Sequence, residues 1–294
     1  MSTDTAVKEF KPADYKSDLK SIWCPGCGDF AVVSAMYRAF AQLKIPNENL
    51  ALVSGIGCSS RLPGYVKAYG FNTIHGRALP IATGLKLARP ELTVVLGSGD
   101  GDAFSIGAGH LPHAARRNID MTLMVMDNNT YGLTKGQMSP TTPLNDKTTS
   151  TLYGVIDTPI RPIPLLLTYG VTFVARAFSG DLNQLTEITT KAIQHKGFSV
   201  VQVLSPCVTF RGDDEYDRIK GVTKQIPTTH DTSNWDAAMK LATEPGENYL
   251  GIFYQNTRPA YDEMLDKQRG IATKKQPAEI SALIESFKWC LVGS

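Results

Sequence analysis

A mostly parallel α/β sheet with helices on both faces is what this sequence predicts, and three features predict it. Short apolar runs of strand length recur, residues 92–96 and 121–126 being the clearest. Glycine-rich or polar loops follow these runs. Helical periodicity fills the intervals between them, which is the signature of βαβ units. Hydrophobic content of 42% and charged content of 20% are those of a globular chain, and 294 residues suffice for a sizeable core. A net charge of +2 with scattered Lys and Arg gives no nucleic-acid signal. No segment has the apolar length of a membrane span and residues 1–11 lack the apolar stretch of a signal peptide, so the expected location is cytoplasmic.

Residues 1–20 mix Lys, Asp and apolar residues without period and are expected to form an N-terminal arm. Cys24-Pro25-Gly26-Cys27-Gly28-Asp29 follows, just before a predicted helix over 30–43 with apolar Val32, Val33, Met36, Tyr37, Phe40 and Leu43. A C-x-x-C pair there has three readings: a dithiol, a zinc site or an iron-sulfur site. Zinc and iron-sulfur sites ask for four ligands, and no second C-x-x-C is present. The strand over 50–53 runs into Gly55-Ile56-Gly57-Cys58-Ser59-Ser60-Arg61. Glycines and serines around Cys58, where a core cysteine would have apolar neighbours, point to a ligand or cofactor contact. His75-Gly76-Arg77 precedes a helix over 78–88, an entry suited to an anion.

The strand over 92–96 ends in Gly97-Ser98-Gly99-Asp100-Gly101-Asp102, a helix is expected over 103–118, and the strand over 121–126 ends in Asp127-Asn128-Asn129-Thr130-Tyr131-Gly132. Crossover rules put both loops at one sheet edge, so Asp100 and Asn128 should meet. A carboxylate, an amide oxygen and close-approaching glycine backbone suit a divalent cation with a diphosphate; the plain alternative is a pair of turns. A dinucleotide fingerprint fits less well, because Asp102 stands at its third glycine position. From 133 to 164 the chain reads as a long loop, with Lys135 near its start. A helix-like 165–169, a strand over 171–178, a helix over 181–195 and a strand over 198–204 continue the alternation and deliver Cys207 to a strand end. Residues 208–235 read as a polar linker or wrapping loop, 248–254 as an edge strand or hairpin, and Cys290 as a packing residue among apolar neighbours. The expected division is an arm (1–20), an α/β domain (21–210) and a less regular C-terminal extension (211–294).

Gly-Asp-Gly followed 26 residues later by Asn-Asn resembles the diphosphate motif of thiamine diphosphate enzymes. With the Cys24, Cys58 and His75 loops and Tyr131-Gly132-Leu133-Thr134-Lys135-Gly136-Gln137-Met138-Ser139-Pro140-Thr141, residues 20 to 210 resemble the β subunit of 2-oxoacid:ferredoxin oxidoreductases. That resemblance implies a thiamine diphosphate-binding fold and CoA-dependent oxidative decarboxylation of a 2-oxoacid, with electrons passing to ferredoxin. It implies Mg2+ on Asp100, Asn128 and the Thr130 carbonyl, and one 4Fe-4S cluster on Cys24, Cys27, Cys58 and Cys207. Ile56, Gly57, Cys58, Ser59, His75, Gly76, Arg77, Ala78, Gly101, Asp102, Gly132 and Leu133 would surround the diphosphate. The Glu that activates the aminopyrimidine would lie on an α subunit, making an α2β2 assembly in which this chain alone is inactive. His75, Arg61 and Lys135 are the candidates for catalysis and substrate contact. The two cations favour 2-oxoglutarate, giving succinyl-CoA, over pyruvate. A non-redox thiamine diphosphate decarboxylase or carboligase and a simple dithiol redox protein are the competing readings.

Overall fold

A computed structural model describes residues 9–246, 248–272 and 281. Helix α1 (Asp29–Gln42) leads to strand β1 (Leu50–Ser54), a short α2 (Leu62–Tyr65) and β2 (Tyr69–Asn72). Then come α3 (Ala78–Ala88), β3 (Thr93–Gly99), α4 (Leu111–Arg117), β4 (Met121–Asp127), α5 (Pro162–Thr168), β5 (Phe173–Phe178), α6 (Leu182–Gln194) and β6 (Phe198–Leu204). The chain continues through α7 (Val208–Arg211), α8 (Glu215–Val222), β7 (Thr223–Gln225), α9 (Trp235–Thr243), β8 (Asn248–Gln255) and α10 (Tyr261–Ala272). One sheet has the order β2-β1-β3-β4-β6-β5-β8-β7. All neighbours are parallel except β5 and β8.

Alternation along the strands builds two cores. Ala51, Val53, Val94, Leu96, Leu123 and Val125 point to one face, under α3, α4, α5 and α9, while Leu50, Leu52, Val95, Met124 and Met126 point to the other, under α1 and α6. The expected mostly parallel sheet covered on both faces is therefore present. The arm docks through Tyr15, which is fully buried and donates its hydroxyl to the carbonyls of Phe40 (3.0 Å) and Ile45 (2.7 Å).

Three local expectations change. The single helix expected over 103–118 is broken: one wide π turn covers Asp102–Ile106, a short turn follows, and only Leu111–Arg117 is α-helical. Gly107 explains the break, since a Cβ there would lie 2.4 Å from the Asp102 carbonyl and 3.1 Å from the Gly76 Cα, so the chain is pressed against the His75 loop. The segment over 208–235 is no linker but carries α7, α8 and β7. Its polar faces hid two short helices held by charge pairs. Strand β8, from the segment expected as an extension, pairs antiparallel with β5 in the main sheet. Cys290 lies outside the described residues, among which no helix is long and apolar enough to cross a membrane.

Candidate active site and thiol cavity

Strands β1, β3, β4 and β6 all present their carboxyl ends at the same rim, and two cavities open there. The first, about 120 Å3, is lined by the Ile56–Ser59 loop, His75, Gly99–Asp102, Asn128, Thr130 and the Tyr131–Thr134 turn. Asp100 and Asn128 meet on its wall, as the crossover argument required. Asp100 is buried beside Asp127, and Thr141 Oγ1 lies between them, 2.6 Å from Asp100 Oδ2 and 2.8 Å from Asp127 Oδ1. Burial first, and the Asp127 charge second, push the Asp100 carboxyl up to about 7. Asp100, with the oxygens of Asn128 and Thr130 on the same wall, offers a hard oxygen set that suits Mg2+, and Asp127 stands behind it through Thr141. Glycines form the cradle: Gly57 (φ +121°) has nothing within 4 Å of a Cβ position, and at Gly101 a Cβ would lie 2.2 Å from the Tyr131 ring. The residues thus fit a magnesium diphosphate group.

Asp102 lines the same cavity, yet its carboxylate is spent on the protein. Oδ1 accepts from the backbone N–H of Ile56 (3.1 Å) and Gly76 (2.7 Å) and bonds His75 Nδ1 (2.6 Å), and Oδ2 accepts from Ser98 Oγ. It ties three loops together from the cavity wall. Gly76, Arg77 and Ala78, expected around the diphosphate, stand off the cavity wall. Gly76 (φ +72°) turns the chain, Arg77 reaches outward to His110 Nε2, and Ala78 is buried at the start of α3. A backbone N–H drawn to Asp102 fixes this turn and aims the following side chains away.

The second cavity, about 190 Å3, is lined by Cys24, Cys27, Cys58 and Cys207 with Arg61, Lys135 and Phe210. Four thiols separated by up to 183 residues of sequence are thus gathered by the ends of β1 and β6 and the start of α1. Burial pushes the Cys58 thiol up to about 11, with the charges of Asp29, Cys207 and Cys24 adding to it, and burial raises Cys27 and Cys207 as well. Thiols crowded in this way bind as thiolates only where a cationic group offsets their repulsion, which an iron-sulfur cluster does. Arg61 and Lys135 line this cavity and not the glycine-rich one.

Cys58, Asn128, Gly132 and Leu133 line both cavities. At Gly132 a Cβ would sit 3.5 Å from Cys58 Sγ, 3.7 Å from Cys207 Sγ and 3.9 Å from Asn128 Nδ2, so the partition is one backbone thick. Trp23 Nε1 braces it by donating to the Cys58 carbonyl at 2.7 Å. Two contributors escaped sequence reading. Asp29 is buried against Cys27 and Ser205 Oγ (2.7 Å), and burial raises its carboxyl to about 6; its place directly after Cys27-Gly28 was the available signal. Thr141 arrives from the long loop, where the sequence marks it only as the end of the Tyr131–Thr141 motif and gives it no role.

Fold and site together define a thiamine diphosphate-type α/β domain. Residues 55–203 match the family described as "Thiamine pyrophosphate enzyme, C-terminal TPP binding domain", and residues 207–269 match the C-terminal family of the "Pyruvate ferredoxin oxidoreductase beta subunit". The chain is 47% identical to the 2-oxoglutarate oxidoreductase subunit KorB of Mycobacterium tuberculosis over 93% of its length and 85% of that protein. It is 41% identical to the beta subunit of 2-oxoacid:ferredoxin oxidoreductase 1 of Aeropyrum pernix, over 86% of this chain and 84% of that one. A 2-oxoglutarate:ferredoxin oxidoreductase from Magnetococcus marinus, solved with 2-oxoglutarate, coenzyme A and succinyl-CoA bound, superposes with a TM-score of 0.91 at 43% identity, covering 98% of this chain and 97% of that one. The chain belongs to the family of 2-oxoacid:ferredoxin oxidoreductase β subunits.

Proposed function

We propose that this chain is the cofactor-bearing subunit of a 2-oxoglutarate:ferredoxin oxidoreductase, acting with an α subunit in an α2β2 assembly to form succinyl-CoA and CO2. The observation that carries this reading is the shared partition of Cys58 and Gly132 between a diphosphate-shaped cavity and a four-thiol cavity. A non-redox thiamine diphosphate enzyme has no use for four thiols gathered behind its cofactor cavity, and a dithiol protein has no use for the glycine cradle.

Asp100, the Asn128 side chain and the Thr130 carbonyl would hold Mg2+, and Gly101, Gly132 and the Ile56–Ser59 loop would cradle the diphosphate. Cys24, Cys27, Cys58 and Cys207 would hold one 4Fe-4S cluster. When bound, thiamine diphosphate supplies an electron sink for decarboxylation and the cluster a one-electron exit to ferredoxin. The chain's own residues position and insulate. Asp102 holds His75 by Nδ1, so Nε2 is the ring nitrogen left for a substrate proton. Tyr131 closes over Gly101, its hydroxyl 3.3 Å from that carbonyl. None of the residues lining the glycine-rich cavity is a glutamate, in keeping with an activating carboxylate supplied by the α subunit. Ile56, Ile74, Ile81, Ile106 and Leu133 are exposed at or near the residues that form its mouth, an apolar surface suited to that partner. Arg61 and Lys135 line the thiol cavity and not the glycine-rich one; from beyond the Gly132–Leu133 partition that the two share they would favour a substrate with a second carboxylate.

Iron, sulfide and thiamine diphosphate analysis of anaerobically purified protein tests this. About four iron and four sulfide per chain with broad absorbance near 400 nm is the expected result; colourless protein overturns it. The isolated chain should not turn over any 2-oxoacid, and should do so with its α subunit. In the complex, Arg61→Gln should lower kcat/KM for 2-oxoglutarate much more than for pyruvate, and equal losses remove the substrate assignment.

A further inference from the structure

A third cavity, of about 310 Å3, lies on the other side of the Asp127–Asn129 loop and shares Asn128 with the first two. Arg176 on β5 stands directly opposite Gln202 on β6, and Asp127 on β4 lies two residues further along, opposite Leu204. Gln202 divides its amide between its neighbours: Oε1 accepts from Arg176 Nε at 2.8 Å and Nε2 donates to Asp127 Oδ2 at 2.7 Å. Asp127 Oδ1 is taken by Asn129 and Thr141. Arg176 therefore touches no carboxylate. Its remaining contacts are the face of Phe253, 5.6 Å to the ring centre, and a 3.5 Å approach of Nη1 to the Tyr249 carbonyl. Nη2 has no hydrogen-bond partner among the described residues, although the residue is only 9% exposed.

A second guanidinium lines the same space. Arg161 donates Nη2 to the Ala242 carbonyl at 2.8 Å and meets no carboxylate among the described residues. The third, Arg218, is already spent on Glu215, with Nε 2.7 Å from Oε2. Two guanidiniums therefore face one cavity with donors to spare, and the carboxylates that line it are already saturated. A buried guanidinium keeps its proton and is costly without a counter-charge, so an anion is what this arrangement lacks. Leu144, Pro159, Ile160 and Ile219 add apolar wall beside the polar Asn129, Thr141 and Asn248, a mixture that suits the two ends of a small organic anion.

We propose that this cavity binds an oxyanion, the carboxylate or phosphate of a small organic molecule, between Arg161 and Arg176. The inference stands independently of the reading of the other two cavities. Its floor, Asp127 to Asn129 with Thr141, is the back of the glycine-rich cavity, so an occupant there would brace the segment that carries Asn128.

Calorimetric titration of the full chain at constant ionic strength, with succinate in one arm and inorganic phosphate in the other, tests it. A saturable site in the succinate arm identifies a carboxylate source and one in the phosphate arm a phosphate source. In either case Arg161→Gln should weaken it at least tenfold and Arg161→Lys, which keeps the charge but not the fork, by less. Arg161 is exposed, so these variants should fold, and Arg116→Gln on α4 serves as the unaffected control. Anion taken up by the glycine-rich cavity persists in Arg161→Gln and is thereby separated. Wild type and Arg161→Gln titrating alike with both probes, or no saturable binding in either arm, overturns the proposal.

Discussion

Two carboxylate clusters, both of which reach the third cavity, have opposite charge logic. At the rim of β3 and β4, Asp100 and Asp127 are buried side by side with hydroxyls and amides but no basic side chain bonded to either, and burial raises both. In the α7–α8 segment Glu215 is equally buried, yet Arg211 Nε (2.9 Å) and Arg218 Nε (2.7 Å) donate to it, and Arg211 Nη2 also pairs with Asp146 at 2.8 Å. Burial alone would raise the Glu215 carboxyl, but the bonds from Arg218 and Arg211 outweigh it and hold it below its ordinary value. The lesson is in the partner: one cluster carries its own cations and is complete as folded, while the other has no basic side chain bonded to it, the setting in which the proposed Mg2+ would act.

The comparison can be broken most sharply at Asp100. Asp100→Asn should weaken Mg2+-dependent thiamine diphosphate binding by about a hundredfold or more, roughly 3 kcal/mol, while leaving the apo fold intact. Titration followed by tryptophan fluorescence, with a parallel melt, measures both. A variant that melts far below wild type without metal would mean that the rim carboxylates are as structural as Glu215. Glu215→Gln should do the reverse, costing about 3 kcal/mol of stability by stranding two guanidiniums, with thiamine diphosphate affinity little changed. Urea unfolding reads this directly.

Acid sharpens the contrast. Because the folded-state pKa of Glu215 lies below its unfolded value, its contribution is fully present above the ordinary glutamate range and is lost as pH falls through the folded value. Stability profiles of wild type and Glu215→Gln should therefore converge below about pH 4; parallel curves would contradict the ion network. The smallest effect is expected at Thr141→Val, which removes the hydroxyl between Asp100 and Asp127. It should cost about 1–2 kcal/mol in the apo chain, and a loss under a few tenths would show that the hydroxyl bridges nothing of consequence.

Much of this was legible beforehand, for identifiable reasons. Residues 92–96 and 121–126 are apolar throughout because parallel strands are covered on both faces, and their terminal glycines and polar residues mark where the cover stops. Since parallel strands share one end, Asp100, Asn128, Cys58 and Cys207 could be assigned to one rim without coordinates. What stayed hidden depends on approach between distant segments. The break after Asp102 comes from Gly107 meeting Gly76, and a periodicity argument sees only one helix at a time. Gly76, Arg77 and Ala78, which the resemblance places around the diphosphate, belong to a turn whose Gly76 N–H is captured by Asp102, a contact no local pattern shows.

Composition and spacing alone, then, determined which chemical groups the chain possesses and which strand ends deliver them, because side-chain alternation and crossover handedness are local rules. Tertiary structure alone decided which of those groups are still available. Asp102 is consumed by three loops, Arg218 by Glu215, and Asp127 by a glutamine whose partner lies across the register. Hydrogen-bonding capacity is finite and is allotted only when remote segments meet, so a residue's type announces its chemistry and its neighbours determine how much of it remains.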